Sequence, residues 1–425
     1  MYSDKNLALA VYYTRQNRYS FHALLGAWEI NDNHCPEVYF FFQEKELLLG
    51  LGEILDAYRK VVLLFSFFTT QVWDVLRLIK RLKERYSERV ICIAGGPHPT
   101  ASPQDVLGMG FDIVVRGEGE ESFPHLLERL SNGEDIRSLR GIVFKEKGEI
   151  YSTPQGPFLD LDKYPPFSLK YRKFGPIEIT RGCPFGCYFC QTPSIFGTRV
   201  RHRSIENICR YIEILTENNL KDIRFISPNA FSYGSPDGKV LNLSALETLL
   251  REARRVNPEG KIFFGSFPSE VRPEHVNEET IGLVLRYADN DNLVIGAQSG
   301  SQRVLDLCHR GHNVNDIYRA VRLTLESGLR ANVDFIFGLP PEKEEDIEIT
   351  SQVIRDLAKM GARIHAHTFL PLPQTPFFEP FLNQPYKSTV DTVEKNIPTG
   401  ILFGDWREQD RIAERICGYF GRRGV

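Results

Sequence analysis

Arg181-Gly182-Cys183-Pro184-Phe185-Gly186-Cys187-Tyr188-Phe189-Cys190 sets three of the chain's eight cysteines in the spacing C-x3-C-x2-C. The other five, Cys35, Cys92, Cys209, Cys308 and Cys417, are scattered. Thiolates are soft ligands that suit iron–sulfur clusters or zinc. Structural zinc sites pair two C-x2-C knuckles or add histidines at fixed spacing. Here no second knuckle exists, and the nearest downstream histidine is His202. A cubane iron–sulfur cluster takes four cysteines when fully protein-bound. Three local ligands therefore leave one iron open to bind something else.

The cysteine run directly follows an apolar segment at Pro176–Thr180, the first of six predicted strands. The others lie near Asp222–Ser227, Lys261–Ser266, Leu293–Ala297, Asn332–Phe337 and Arg363–Phe369. Helical patterns separate them, among them Ile205 to Glu217 and Leu243 to Val256. Six strand–helix repeats over residues 177–385 predict a partial, TIM-like (β/α)6 barrel. Upstream, Val61–Leu64, Val90–Ala94 and Phe111–Val115 read as buried parallel strands. Between the first two, Val72, Val75, Leu76, Ile79 and Leu82 form one helical stripe. Residues 1–150 are thus expected to form an N-terminal doubly wound, Rossmann-like α/β domain. Residues 151–176 hold five of the 25 prolines and read as a linker. Residues 386–425 read as a C-terminal helical tail without assigned chemistry.

C-x3-C-x-aromatic-C, with Phe189 before the last cysteine, resembles the signature of the radical S-adenosylmethionine (radical SAM) enzymes. The resemblance implies that Cys183, Cys187 and Cys190 hold a [4Fe–4S] cluster. SAM would chelate the fourth iron and be cleaved reductively to a 5′-deoxyadenosyl radical. Such chemistry is the cofactor's, while the protein positions it. Candidate SAM contacts fall where the predicted strands end. Ser227-Pro228-Asn229 ends the second strand; Ser266, with Glu270 nearby, ends the third. Gly296-Ala297-Gln298-Ser299-Gly300 resembles the family's G-x-(E/Q)-S-G segment. Asp334 to Pro340, including Gly338, resembles the segment beside the adenine, and Leu370 ends the sixth strand. The implied SAM-binding set is Phe189, Ser266, Glu270, Gln298, Ser299, Gly338 and Leu370. Each has a plainer reading too: Gly338 and Gly300 suit tight turns, and Ser266 and Ser299 suit helix caps.

The upstream domain puts three polar or glycine-rich segments just past three strands: Ser66-Phe67-Phe68-Thr69, Gly95-Gly96-Pro97-His98, and Arg116-Gly117-Glu118-Gly119. In open α/β sheets, ligands bind at the carboxyl ends of the strands. Ser66-Phe67-Phe68, 26 further residues, then Gly95-Gly96 resembles the cobalamin-binding domain of one branch of radical SAM enzymes. That resemblance implies cobalamin contacts at Ser66, Thr69, Gly95, Gly96, Gly117 and Glu118. A D-x-H-x-x-G segment, which supplies a histidine to cobalt in some such domains, is not matched: Asp32-Asn33-His34-Cys35-Pro36-Glu37 lacks its glycine. His34 is read as a surface histidine.

The resemblance therefore implies a cobalamin-dependent radical SAM enzyme whose commonest product in this branch is a methylated carbon. Two alternatives stand beside it. One is radical SAM chemistry without cobalamin, either rearrangement or methylthiotransferase-like; methylthiotransferases carry three further N-terminal cysteines, and only Cys35 and Cys92 precede the motif here. The other is an iron–sulfur or cobalamin sensor. A formal net charge of −3 is not the footprint of a general nucleic-acid binder. The longest strongly apolar run, Val61 to Phe68, is too short to span a bilayer, and the N-terminus has no signal-peptide pattern. A cytoplasmic location, a small-molecule, lipid or peptide substrate and an electron donor such as flavodoxin or ferredoxin are the expected surroundings. Two further groups stand out. Arg199-Val200-Arg201-His202-Arg203 is read as a solvated loop or a phosphate-binding patch. His365 and His367 alternate on one strand and so share a face.

Overall fold

A computed structural model of the chain describes residues 7–30 and 36–421. Asp32, His34 and Cys35 lie outside the described residues. The chain divides into two compact units, Met1–Gly175 and Pro176–Val425.

The first unit is a seven-stranded sheet with helices on it. Its strands are β1 (Leu7–Tyr12), β2 (Val38–Phe41), β3 (Lys60–Ser66), β4 (Val90–Gly95), β5 (Ile113–Val115), β6 (Ile142–Glu146) and β7 (Glu149–Ser152), in the order β2-β1-β3-β4-β5-β6-β7. The first five are parallel, and β6 and β7 join antiparallel. This is the doubly wound order 2-1-3-4-5 of a Rossmann-like domain, with its switch point between β1 and β3. Side chains of β3 alternate between two covered faces, so Val61 to Ser66 are all buried. That double burial explains the unbroken apolar run. The helix Val72–Tyr86 buries Val72, Val75, Leu78, Ile79 and Leu82. Leu78 is buried in place of Leu76, which is half-buried at the opposite edge of the same stripe.

The strands before Val61 were not anticipated. Leu7–Val11 is fully buried, but Leu-Ala-Leu-Ala-Val offers small and large apolar residues with no polar alternation to mark a strand. Nor is the proline-rich stretch a free connector. β7 runs into it, Phe167 is 0 % exposed, and the backbone N–H groups of Leu169 and Lys170 donate to the Glu29 carboxylate at 2.9 and 3.1 Å. The prolines set bends, and the residues between them pack on the first unit.

The second unit carries β8 (Ile177–Glu178), β9 (Thr180–Arg181), β10 (Arg201–His202), β11 (Asp222–Ile226), β12 (Lys261–Phe263), β13 (Asn292–Gln298), β14 (Arg330–Phe337), β15 (Arg363–Thr368) and β16 (Leu402–Phe403). Parallel sets β12-β11-β8 and β13-β14-β15-β16 are joined at Val271, which bridges Ile295 and exchanges backbone hydrogen bonds with Val294 and Gly296 at 2.8 and 3.0 Å. The result is an open, curved row of parallel strands, the expected partial barrel. β9 and β10 form a separate antiparallel pair.

The intervening helices follow from pattern and caps. Ile205–Glu217 buries Ile208, Cys209, Tyr211, Ile212 and Leu215, and Ser204 Oγ accepts from Asn207 N at its start. Leu243–Val256 buries Leu246, Leu249, Leu250 and Ala253 behind an Asn242 cap. Burying each such leucine contributes about 1.5–3 kcal/mol. The tail does more than cover the barrel: β16 pairs with β15 through Ile364–Leu402 and His365–Phe403 and extends the sheet. Two residues are too short a strand for any alternation to reveal.

Candidate active site

Backbone geometry builds the cysteine loop. Gly182 (φ +87°) admits no side chain, because a Cβ there would lie 2.2 Å from the Arg199 carbonyl oxygen. Cys183 N donates to Gly197 O at 3.1 Å and Cys190 N to Cys187 O at 3.0 Å, closing the loop on itself. Tyr188 is held from both sides: its N–H donates to Cys308 O, and its carbonyl accepts from Phe377 N. The three thiols border a cavity of about 560 Å³ at the carboxyl ends of the barrel strands.

All three thiols face the same cavity, as three ligands of one four-iron cluster would. No fourth thiol borders the cavity. Burial pushes the Cys183 thiol up and the Cys190 thiol up to about 11; binding iron reverses this by replacing the proton.

Two buried arginines, unforeseen from the sequence, brace the loop. Arg310 Nη1 donates to Cys187 Sγ at 3.6 Å and its Nη2 to Gly296 O at 2.7 Å, with the Glu270 carboxylate 3.9 Å away. Arg272 lies over the Phe185 ring at 3.4 Å, pairs with Glu274 and donates to the Arg310 carbonyl. Gly296 is bare for this reason: a Cβ would meet Arg310 at 2.7 Å and Glu270 at 3.1 Å. Sequence separation hides the arrangement, since Arg310 follows Cys187 by 123 residues.

The expected SAM set divides. Phe189 and Glu270 border the cavity with Ser227, Pro228 and Asn229. Burial raises the Glu270 carboxyl above its ordinary value, while Arg310 opposes that rise. Ser266 is 4 % exposed, and its hydroxyl is buried without a hydrogen-bond partner. A buried unsatisfied hydroxyl costs about 1–3 kcal/mol and suits a ligand that supplies the missing bond. Gln298 is buried at φ +73°, rare for a residue with a side chain, at a bulge ending β13. Ser266, Gln298, Ser299, Gly338 and Leu370 do not themselves border the cavity. Ser299 Oγ is engaged by Thr350 and by Ser301 N, and Gly338 N donates to Glu342 at 2.6 Å.

The facing wall carries Asp334, His365 and His367, three donor groups within 4.8 Å of one another. His365 Nδ1 lies 3.1 Å and His367 Nε2 3.9 Å from Asp334 Oδ1. Their hydrogen-bond polarity argues against a metal. Gln409 Oε1 accepts from Thr368 N at 2.8 Å, which turns its amide nitrogen toward His367 Nδ1 at 3.4 Å. His367 Nδ1 is therefore an acceptor, and its proton sits on Nε2, facing Asp334. A metal at Nε2 would need the opposite tautomer. Asp334 is held below the usual carboxylate range by the two histidines, against the effect of its burial.

The basic run turns inward along its length, from exposed Arg199 to buried Arg203. Arg203 is 2 % exposed, with Nε donating to Glu178 O at 3.0 Å, and His202 bonds Thr180 and Ser235.

In the first unit the expected cobalamin residues gather at the carboxyl ends of β3, β4 and β5. Gly96 (φ +92°) lets Ser66 approach: a Cβ would sit 2.6 Å from Ser66 Oγ. Thr69 Oγ1 meets His98 Nδ1 at 3.1 Å, and His98 Nε2 meets Asp105 at 3.2 Å. Gly117 N donates to Thr100 at 2.9 Å, and Glu118 accepts from Leu159 N at 2.9 Å. Gly95 and Gly117 are half-buried, so the edge presents backbone rather than side chains. A bare edge of this kind suits close approach by a large flat ligand.

An open nucleotide-type sheet followed by a partial barrel with a three-thiol loop defines an enzyme class: iron–sulfur enzymes that keep one iron open. The family description of the radical SAM superfamily matches residues 177–354, and that of the B12 binding domain matches residues 51–127. The first match implies a [4Fe–4S] cluster and SAM as cofactors, and the second supports cobalamin. An uncharacterised methyltransferase of Pyrococcus horikoshii is 27% identical over 77% of this chain and 71% of its own length. The ribosomal protein uS12 methylthiotransferase RimO of Thermotoga maritima is 30% identical over 47% of this chain and 45% of its own. In fold, the chain is similar to TsrM of Kitasatospora setae, a radical SAM methyltransferase solved with cobalamin and a [4Fe–4S] cluster (TM-score 0.68, 19% identity, 89% of this chain and 78% of that one). Among the described residues, no helix is long and apolar enough to cross a membrane.

Proposed function

We propose that the chain is a cobalamin-dependent methyltransferase acting on a carbon of a small-molecule, lipid or peptide substrate. The observation that carries the reading is the three-thiol cavity in a chain that also bears a B12 binding domain. When bound, the cluster and cobalamin supply one-electron and methyl-transfer chemistry, and SAM supplies the methyl group. The protein's part is positional. Cys183, Cys187 and Cys190 hold the cluster at one end of the cavity. Ser266, Glu270, Gln298 and Phe189 bind SAM, with Ser266 Oγ completing its hydrogen bond to the ligand. Gly338 and Leu370 shape the segments beyond the cavity wall, and Ser299 fixes the Gln298–Ser301 turn. Ser66, Thr69, Gly95, Gly96, Gly117 and Glu118 form the edge that receives cobalamin. Asp334 and His365 face the substrate from the opposite wall.

Residues 1–150 and 177–385 form the working cores, joined by 151–176 and completed by 386–425. The site of action is the cytoplasm, with a flavodoxin or ferredoxin as electron donor.

The methylthiotransferase reading loses support at Cys92. That residue is 0 % exposed, enclosed within β4 of the sheet, and no other cysteine of the first unit among the described residues stands beside it.

Iron and cobalt per chain, measured after anaerobic reconstitution with iron, sulfide and hydroxocobalamin, test the proposal. About four irons and one cobalt are expected. Reduced protein should then convert methyl-labelled SAM and a candidate substrate to a labelled product. Four irons without cobalt would overturn the cobalamin mechanism and keep the radical SAM assignment.

A further inference from the structure

We infer that Arg310 is a positioning residue that sets the reduction potential of the cluster, and that Glu270 limits its effect. The inference rests on the cluster assignment above and goes beyond it.

Arg310 is 5 % exposed, yet its guanidinium carries a full charge directly against the iron-binding loop. One arm donates to Cys187 Sγ at 3.6 Å and the other to Gly296 O at 2.7 Å. Its Nε is buried without a partner. The backbone on either side is fixed: Arg310 N donates to Leu305 O, and its carbonyl accepts from Arg272. Gly296 leaves the space that this guanidinium and Glu270 occupy. A buried cation placed this deliberately beside a ligand sulfur has an electrostatic consequence.

Reduction adds one electron to the cluster and no proton to the loop. The added negative charge spreads onto the ligand sulfurs. A charged N–H donor at Cys187 Sγ therefore stabilises the reduced form more than the oxidised form and raises the midpoint potential. Burial strengthens the effect, because little water screens it. Glu270, at 3.9 Å from Nη2, neutralises part of the charge and works in the opposite sense. The electron comes from an external low-potential one-electron donor. A more positive cluster accepts it more readily and gives it up to SAM less readily. The Arg310–Glu270 pair sets that balance.

Redox titration followed by electron paramagnetic resonance tests this, on the full chain reconstituted with iron and sulfide, in the absence of SAM and with dithionite as reductant. Arg310→Gln should favour the oxidised form at least tenfold, a fall of about 59 mV for a one-electron couple. Arg310→Lys keeps the charge without the fork and should recover part of that fall. Glu270→Gln should move the potential upward. Opposite shifts from two neighbouring variants cannot come from a loosened fold, and iron content near the wild-type value checks that the cluster is intact. An unchanged midpoint in Arg310→Gln at full iron content would overturn the inference; if SAM binding alone weakened, Arg310 would be reassigned to the SAM carboxylate. Should Arg310→Gln fail to hold iron, Glu270→Gln decides: no upward shift there also overturns it. Absence of any four-iron cluster in the wild type would instead remove the assignment on which the inference stands.

Discussion

The strand-end edge of the first unit and the cavity of the second are built on opposite principles. On the first edge most polar groups answer one another, Thr69 with His98, His98 with Asp105, Thr100 with Gly117 and Glu118 with Leu159. Among the described residues of its edge segments, only Arg116 Nε is left over. In the cavity region, polar groups are left waiting, above all Ser266 Oγ and Arg310 Nε. A satisfied edge recognises a ligand by shape and bare backbone. An unsatisfied pocket recognises it by the bonds it completes. The same substitution should therefore act on stability in one place and on binding in the other.

The largest effect belongs to the cavity. Replacing Cys183, Cys187 and Cys190 together by Ala should take iron from about four per chain, the content of one cubane cluster, to none; retained iron would place the cluster elsewhere. Next comes the bare edge. Gly95→Leu has room at its Cβ, whose nearest neighbour is the Val115 carbonyl at 3.7 Å. It should leave thermal unfolding near wild type yet lower hydroxocobalamin retention on gel filtration about tenfold, roughly the 1.4 kcal/mol of one lost close approach. Equal retention would move cobalamin off this edge.

The third pair sets the regions directly against each other. Ser266→Ala removes a hydroxyl that has no partner, so unfolding by urea should be unchanged or slightly later, while SAM binding weakens severalfold. Thr69→Val strips a partner from buried His98 and should cost about 1–2 kcal/mol of stability. If the two variants exchange these phenotypes, the contrast between satisfied and waiting groups is wrong.

A smaller effect concerns pH. Burial lifts the Glu342 carboxyl from 4.5 to about 8, although Gly338 N–H opposes the rise. Folding then takes up a proton at this group between those values, and the stability present below about pH 4.5 is lost as pH climbs toward 8. Urea midpoints across that range should fall in the wild type and fall less in Glu342→Gln; parallel curves would show that Glu342 titrates normally. The smallest expected effect is none: zinc added to the reconstituted protein should bind no more tightly to the wild type than to His365→Ala, because the tautomer imposed by Gln409 leaves Asp334, His365 and His367 hydrogen-bonded to one another.

Legibility in the sequence followed the range of the forces involved. The helices Ile205–Glu217 and Leu243–Val256 were readable to the residue, because stripe and cap lie within one local window. The cysteine loop was readable for the same reason. β1, with its mixed small and large apolar residues, and β16, two residues long, carry no periodic signal. Strand ends put Glu270 on the cavity and left Ser299 engaged elsewhere, while Phe189 came with the cysteine motif. Arg310 was out of reach altogether. Cys308-His309-Arg310-Gly311-His312 contains a turn glycine (Gly311, φ +81°) and nothing that points to a sulfur 123 residues earlier.

β16 also bears on how the protein is made. Synthesis runs from the amino end, and Phe403, which stacks on His365 at 4.8 Å, emerges after every other strand of the barrel. Until then the nascent chain exposes the unpaired rim of β15 beside a half-walled pocket, the kind of edge that invites aggregation. A stop codon between residues 369 and 402 would thus yield a chain with every cysteine ligand in place and a permanently raw flank.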